Sequence, residues 1–473
     1  MKLKALLLLS FLFCPSLEAF TGAGSTEATL EFSHFVEFDL QESPQTPTKG
    51  AILEAIEEQI AHLVGPMARL PYRSAPKGDE YVDPESLRME WITNEAKEKM
   101  KLRAHYNYEG TIVVANGAAT PYEIYLPLHP ADAYFKAGGD SEDNPCGDEY
   151  YTSYDDFWYF WHPLRPNCRK LLKEGIDYHK IPSKLTRIPN SSTPRGEKTY
   201  PEYGRLADAK GTIKMMLLMG MDVATNNPHP IESEGEEDDD LNAENFRMVR
   251  NALIKKLQLQ PRQWENSEIQ ALLKEGTRPL PYVEEFTAEF PDSKGRGQRL
   301  EVVMFFGKAG IDENSKAFHY FLKDAIKNYS VVIYDGHSGL GGHLYLPGIE
   351  ELRTETSGQT FKFVVPKDKY QIFYFNSCSS YAYYNANFFP QKKSPRDPHG
   401  TKFLDIVATG LETGFDGGAR TNLELITTIY NWIKLGTVKS YLELVRRLEN
   451  DNLSGVNGDE DNPKSQAEAR QLF

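Results

Sequence analysis

Two stretches decide the fold: Val331-Val-Ile-Tyr-Asp-Gly-His-Ser-Gly339 and Tyr370-Gln-Ile-Phe-Tyr-Phe-Asn-Ser-Cys-Ser-Ser380. Each begins as a short apolar run without polar alternation, the pattern of a strand buried on both faces. Each then turns abruptly into small and polar residues. Residues 212–223, 300–306 and 403–409 carry the same kind of run. Between the runs lie helical stripes. One is Phe246, Val249, Leu253 and Leu257 behind a cap at Asn242; another is Phe318, Phe321, Leu322, Ala325 and Ile326 behind a cap at Ser315. Two closing helices are expected over 420–435, stopped by Gly436, and over 438–448. Strand–helix alternation of this kind predicts an α/β domain over 211–473, a mostly parallel sheet with helices on both faces.

The residues before 211 follow a different grammar and predict an α+β domain over 20–180. Residues 29–38 read as a strand, and 51–64 as a helix with Ile52, Ile56, Ile60 and Leu63 on one face. The segments 102–108, 111–115 and 122–126 suggest an antiparallel meander. The aromatic block 150–161 reads as a satellite core in preference to a ligand-binding wall. Residues 181–210, rich in Pro, Ser and charge, read as a linker.

Residues 1–19 have the layout of a signal peptide: Lys2 and Lys4, an apolar stretch over 5–13, and the small Ala19. Export to the periplasm or the extracellular space is therefore expected, and no later run is long enough for a transmembrane span. Of four cysteines, Cys14 would leave with the signal. Cys146 and Cys168 are expected to form a disulfide in an oxidising compartment. Cys378 is then the odd one, either a buried inert thiol or a reactive one. Lys plus Arg is 53 against 68 for Asp plus Glu, a net charge of −15 that disfavours nucleic acid as a partner. His162 with Cys146 and Cys168 fits no zinc template, and the acidic run 232–240 lacks regular ligand spacing. Neither a metal nor a cofactor is expected, and the oligomeric state is not legible.

In parallel sheets ligands gather at the carboxyl ends of strands. His337 and Cys378 each stand just past such an end, so imidazole and thiol would face each other if the strands are neighbours. Tyr381, Tyr384 and Phe388 have helical spacing, which would set the thiol at a helix N-terminus. That position and a charged imidazole would both lower a thiol pKa. His337 would act as base to the thiol and acid to the leaving amine. The natural oxyanion donors are the backbone N–H groups of Cys378 and of Ser338 or Gly339.

A hydrophobic strand ending in His near Gly, then a second ending in a small residue plus Cys, resembles the caspase, gingipain and clostripain group of cysteine peptidases. The order of strand, Asn242-Ala-Glu-Asn-Phe246 helix, strand, helix, His strand and Cys strand is similar to the caspase fold over about 211–450. The resemblance implies a caspase-like domain that hydrolyses protein or peptide substrates through His337 and Cys378. It differs in Ser338, which stands where the family usually has Gly, and it carries over no specificity residue. Asp416 could face a basic side chain, but reads better as a surface turn. Two alternatives stand beside it. One is a serine hydrolase, since 335–342 looks like a lipase elbow with Ser338 as nucleophile, although Leu340 breaks the motif and His399 completes a triad only by assumption. The other is an inactive caspase-like binding protein of the cell envelope.

Overall fold

The structure, a computed structural model, describes residues 20–470 apart from 41–45, 70, 79–80, 96–98, 142, 149–150, 189–197, 222–229, 231–239, 274–279, 292–296 and 450. The signal segment, residues 189–197 of the 181–210 stretch and nearly all of the acidic run lie outside the described residues.

A nine-stranded mixed sheet forms the centre of the C-terminal part. Five strands run parallel in spatial order Gln298–Gly307, Thr212–Gly220, Val331–Asp335, Gln371–Asn376 and Leu404–Ala408. The apolar runs behave as the pattern requires, with side chains alternating between two covered faces. Met215, Leu217, Ile333 and Tyr374 point into one core. Met216, Leu218, Val332 and Phe373 point into the other. Helices Leu241–Lys255, Gly418–Leu435 and Tyr441–Leu448 supply residues to the first core. Lys316–Asn328, Leu346–Ser357 and Ser380–Lys392 cover the second. Gly436 ends its helix in the left-handed region at φ 64°, as its position predicts.

Antiparallel strands complete both edges. Tyr282–Phe290 and Gln260–Gln263 extend one side. On the other, Gly455–Asn457 pairs with the parallel core and then with Phe20–Gly22. The first described residues thus belong to the C-terminal sheet, where Phe20 is buried against Tyr381. The linker reading also narrows. Tyr178–Arg187 is a strand, and Tyr200, Tyr203 and Leu206 are buried in the C-terminal core.

The N-terminal module is a second antiparallel sheet built on Ser25–Asp39 and Lys99–Ala115, paired from Ser25 opposite Ala115 to Asp39 opposite Lys101. Its helix Lys49–Ala61 buries Ile52, Ile56 and Ile60 as expected. The expected break between 108 and 111 is absent, so the meander is one long strand followed by Tyr122–Pro127. Gly110 lies opposite Leu30 with the Tyr108 ring folded over it, in space a side chain would fill. Cys146 is joined to Cys168, and Phe157, Trp158 and Trp161 pack into the same core. No helix among the described residues is long and apolar enough to cross a membrane.

Two capping expectations change. Asp240, not Asn242, caps its helix by accepting from the N–H groups of Asn242 and Ala243. Ser315 precedes the next helix but makes no side-chain cap; its hydroxyl donates to Asp312.

Candidate functional site

The parallel pairing of Val331–Asp335 with Gln371–Asn376 matches Asp335 to Asn376 as its last pair. His337 and Cys378 are each the second residue beyond that pair. They therefore leave neighbouring strands, about 4.8 Å apart, at the same level of the carboxyl edge. The strand order reverses direction between Thr212–Gly220 and Val331–Asp335, the place where sheets of this type open a crevice.

The histidine loop is tightly held. Tyr334 donates its hydroxyl to the His337 carbonyl at 2.6 Å and lies 3.3 Å from His343 Nδ1. The Ser338 carbonyl accepts from the N–H groups of Gly341 and His343 at 3.1 Å each, and from the Tyr384 hydroxyl at 3.3 Å. Gly339 sits at φ +54°, and a Cβ there would lie 2.3 Å from His343 Cδ2. Only glycine fits this turn without moving His343. His343 is kept neutral, its pKa lowered to about 4 by burial and then by the neighbouring His337. Among the described residues no acceptor takes the N–H of Ser338 or Gly339, which leaves both amides available as donors.

One loop following strand Leu404–Ala408 touches both candidate groups. Its Thr413 N–H approaches Cys378 Sγ at 3.5 Å, and the Thr413 carbonyl lies 3.8 Å from the same sulfur. Two residues on, Phe415 meets the His337 ring edge-on with centroids 5.0 Å apart. Neither Thr413 nor Phe415 is legible as a site residue in the sequence, because the loop carries no motif and only the strand order brings it across the rim. Asp416 of the same loop is exposed, in keeping with a surface turn.

The thiol itself departs from expectation. Burial pushes the Cys378 thiol up from its ordinary pKa, and the Thr413 N–H offsets this only in part. Helix Ser380–Lys392 starts two residues later, and its N-cap Ser379 is left-handed at φ 49°. Desolvation outweighs the helix terminus, so the resting group is a neutral S–H that can donate to the Thr413 carbonyl.

Beneath the rim lies a buried amide network. Asp335 accepts from Asn422, and Asn376 donates to Thr421 at 3.2 Å. Asn242 donates to the Gly220 carbonyl at 2.7 Å, and Asn245 to the Phe415 carbonyl at 2.7 Å. The Asn-Ala-Glu-Asn stretch thus anchors the Phe415 loop from below. Burial raises the Asp335 carboxyl to about 7, against the opposing hydrogen bonds from Asn422 and Asn376. An acid whose pKa is raised on folding holds its proton more tightly in the folded state. Its stabilisation is complete below about pH 4 and is lost as pH rises through 7. Asp335→Asn cannot ionise, and its amide can serve the buried, unpartnered Asn422 Oδ1. Urea unfolding is expected to show the variant gaining on the wild type between pH 5 and pH 8; an unchanged gap would refute this.

The alternative nucleophile fares differently. Ser338 is buried, and the segment after it makes a short turn before helix Leu346–Ser357. His399 lies in the loop entering the amino end of strand Leu404–Ala408, the opposite edge of the parallel sheet from Ser338. Among the described residues no cluster of His, Cys, Asp or Glu could hold a metal ion. No family model matches the chain, and no curated protein matches it in sequence.

Proposed function

We propose that the chain is an exported cysteine peptidase of caspase-like type, with Cys378 as nucleophile and His337 as acid and base. The observation that carries this reading is the shared level of the two residues on adjacent parallel strands, with one loop against both side chains. Helices on both faces of the sheet, the strand order and the amide-lined rim support it. The apolar leader and the Cys146–Cys168 bridge support export to the periplasm or the extracellular space.

In this mechanism the thiol is neutral until substrate arrives. Cys378 Sγ attacks the scissile carbonyl carbon while His337 takes the thiol proton, and the carbonyl oxygen becomes an oxyanion. The N–H groups of Cys378 and of Ser338 or Gly339 are the donors for that charge. His337 then gives its proton to the departing amine, which leaves a thioester on Cys378. Water, deprotonated by His337, releases the carboxylic acid and restores the thiol.

The test is to mix the protein with a peptide library, quench in acid and read the intact mass. A peptidyl adduct on Cys378 that persists in Ser338→Ala is the expected result. An adduct on Ser338 would overturn the assignment. The burial of the thiol favours a second reading, a catalytically inactive caspase-like binding protein. No adduct and no cleavage across the library would select it.

A further inference from the structure

We infer that Tyr159, from the N-terminal module, is a positioning residue for Cys378: its phenol holds the strained residue that directly follows the thiol. The catalytic meaning of this rests on the peptidase reading, whereas the tether itself rests on geometry alone.

Ser379 adopts φ 49°, ψ 29°, a left-handed conformation that a non-glycine residue enters at a cost of about 1–2 kcal/mol. Such strain persists only where the surroundings hold it, and it concentrates beside reacting groups. The Ser379 side chain does not cap its helix. Instead its buried hydroxyl meets the Tyr159 hydroxyl at 2.5 Å, across 220 residues of sequence. Its N–H donates to the Leu411 carbonyl, in the loop that bears Thr413. The residue after the nucleophile is thus fixed by two groups, one of them a phenol from the other module.

Tyr159 is itself immobilised. It lies on helix Tyr154–Phe160, capped by Ser153, and its ring packs edge-on against Phe160. The same module grips the neighbourhood of the thiol at three more points. Arg69 forms a two-pronged ion pair with Glu412, the residue before Thr413. Tyr381 donates to Glu27, which also binds Lys77 in a buried group. Gly78, at φ +80°, passes so close to the Ala382 carbonyl that a Cβ would lie 2.5 Å from it. These contacts surround the short turn carrying Cys378. The aromatic block has a role beyond a satellite core, because it presents Tyr159 to that turn.

Tyr159→Phe keeps the ring and removes the tether, leaving the Ser379 hydroxyl buried without its partner. The turn should relax and open the half-buried thiol. Alkylation of native Cys378 by iodoacetamide is expected to speed up about tenfold at neutral pH. Its pH midpoint should fall towards the ~8.5 of a solvated cysteine, with the thermal unfolding midpoint little changed. In the same variant kcat for a cleaved peptide is expected to drop about tenfold at constant KM. Adding Ser379→Gly removes both the orphaned hydroxyl and the left-handed strain, and should return the alkylation profile to that of the wild type. A Tyr159→Phe profile identical to wild type, or no rescue by Ser379→Gly, would overturn the tether. A shifted profile in a protein whose wild type forms no peptidyl adduct would overturn the catalytic role, and would trace that failure to the peptidase reading.

Discussion

Cys378→Ala and His337→Ala are each expected to lower peptide hydrolysis by about 10⁴ or more, and the double variant should be no slower than the worse single one. In the proposed mechanism the thiol, kept neutral by burial, attacks only as its proton departs. His337, two residues past the end of the adjacent strand as Cys378 is past its own, is the proposed acceptor of that proton. Removing either one stops the same step, which is why their effects should not add. Steady-state kinetics on the best library peptide would read this, with Ser338→Ala as a control close to wild type. Losses that multiply in the double variant would mean that the two residues act in separate steps, and the dyad would have to be abandoned.

Gly400→Ala should produce the largest loss of stability among single substitutions considered, more than about 3 kcal/mol. Gly400 lies between helix Ser380–Lys392, which follows Cys378, and strand Leu404–Ala408. Its φ is +85°, and an added Cβ would clash directly with the Phe389 carbonyl oxygen of that helix. The N–H groups of Gly400 and Lys402 both donate to the buried Asp397 carboxylate, so the turn has little freedom to move aside. An alanine there meets left-handed strain and a backbone collision together. Urea unfolding would measure it, with Gly117→Ala as a reference, because no atom lies within 4 Å of a Cβ at that position. A loss within 1 kcal/mol of the reference, on the order of the strain alone, would mean that the helix end shifts readily.

Some errors in the sequence reading share one cause. Asn242 and Ser315 are expected to cap their helices, because their residue types favour that local role. In the folded chain Asn242 reaches the Gly220 carbonyl across the sheet edge, and the Ser315 hydroxyl donates to Asp312. The thiol pKa went wrong in the same way. A facing imidazolium and a helix N-terminus suggested a lowered value, whereas burial raises it, against the hydrogen bonds from Thr413.

The amino-acid sequence by itself determined the parallel core strands, the helical stripes and the two polar breaks that carry His337 and Cys378. It also singled out Cys146 and Cys168 as partners. These are legible because burial on one or both faces of an element imposes a local period on the residue types that build it. Only the tertiary structure decided that Asp335 and Asn376 share a register, that Thr413 and Phe415 cross the rim, and that Phe20–Gly22 closes the far edge of the sheet. It alone sets Tyr159 against Ser379. Those relations depend on backbone pairing and on packing between segments tens to hundreds of residues apart, which leave no periodic trace in either segment.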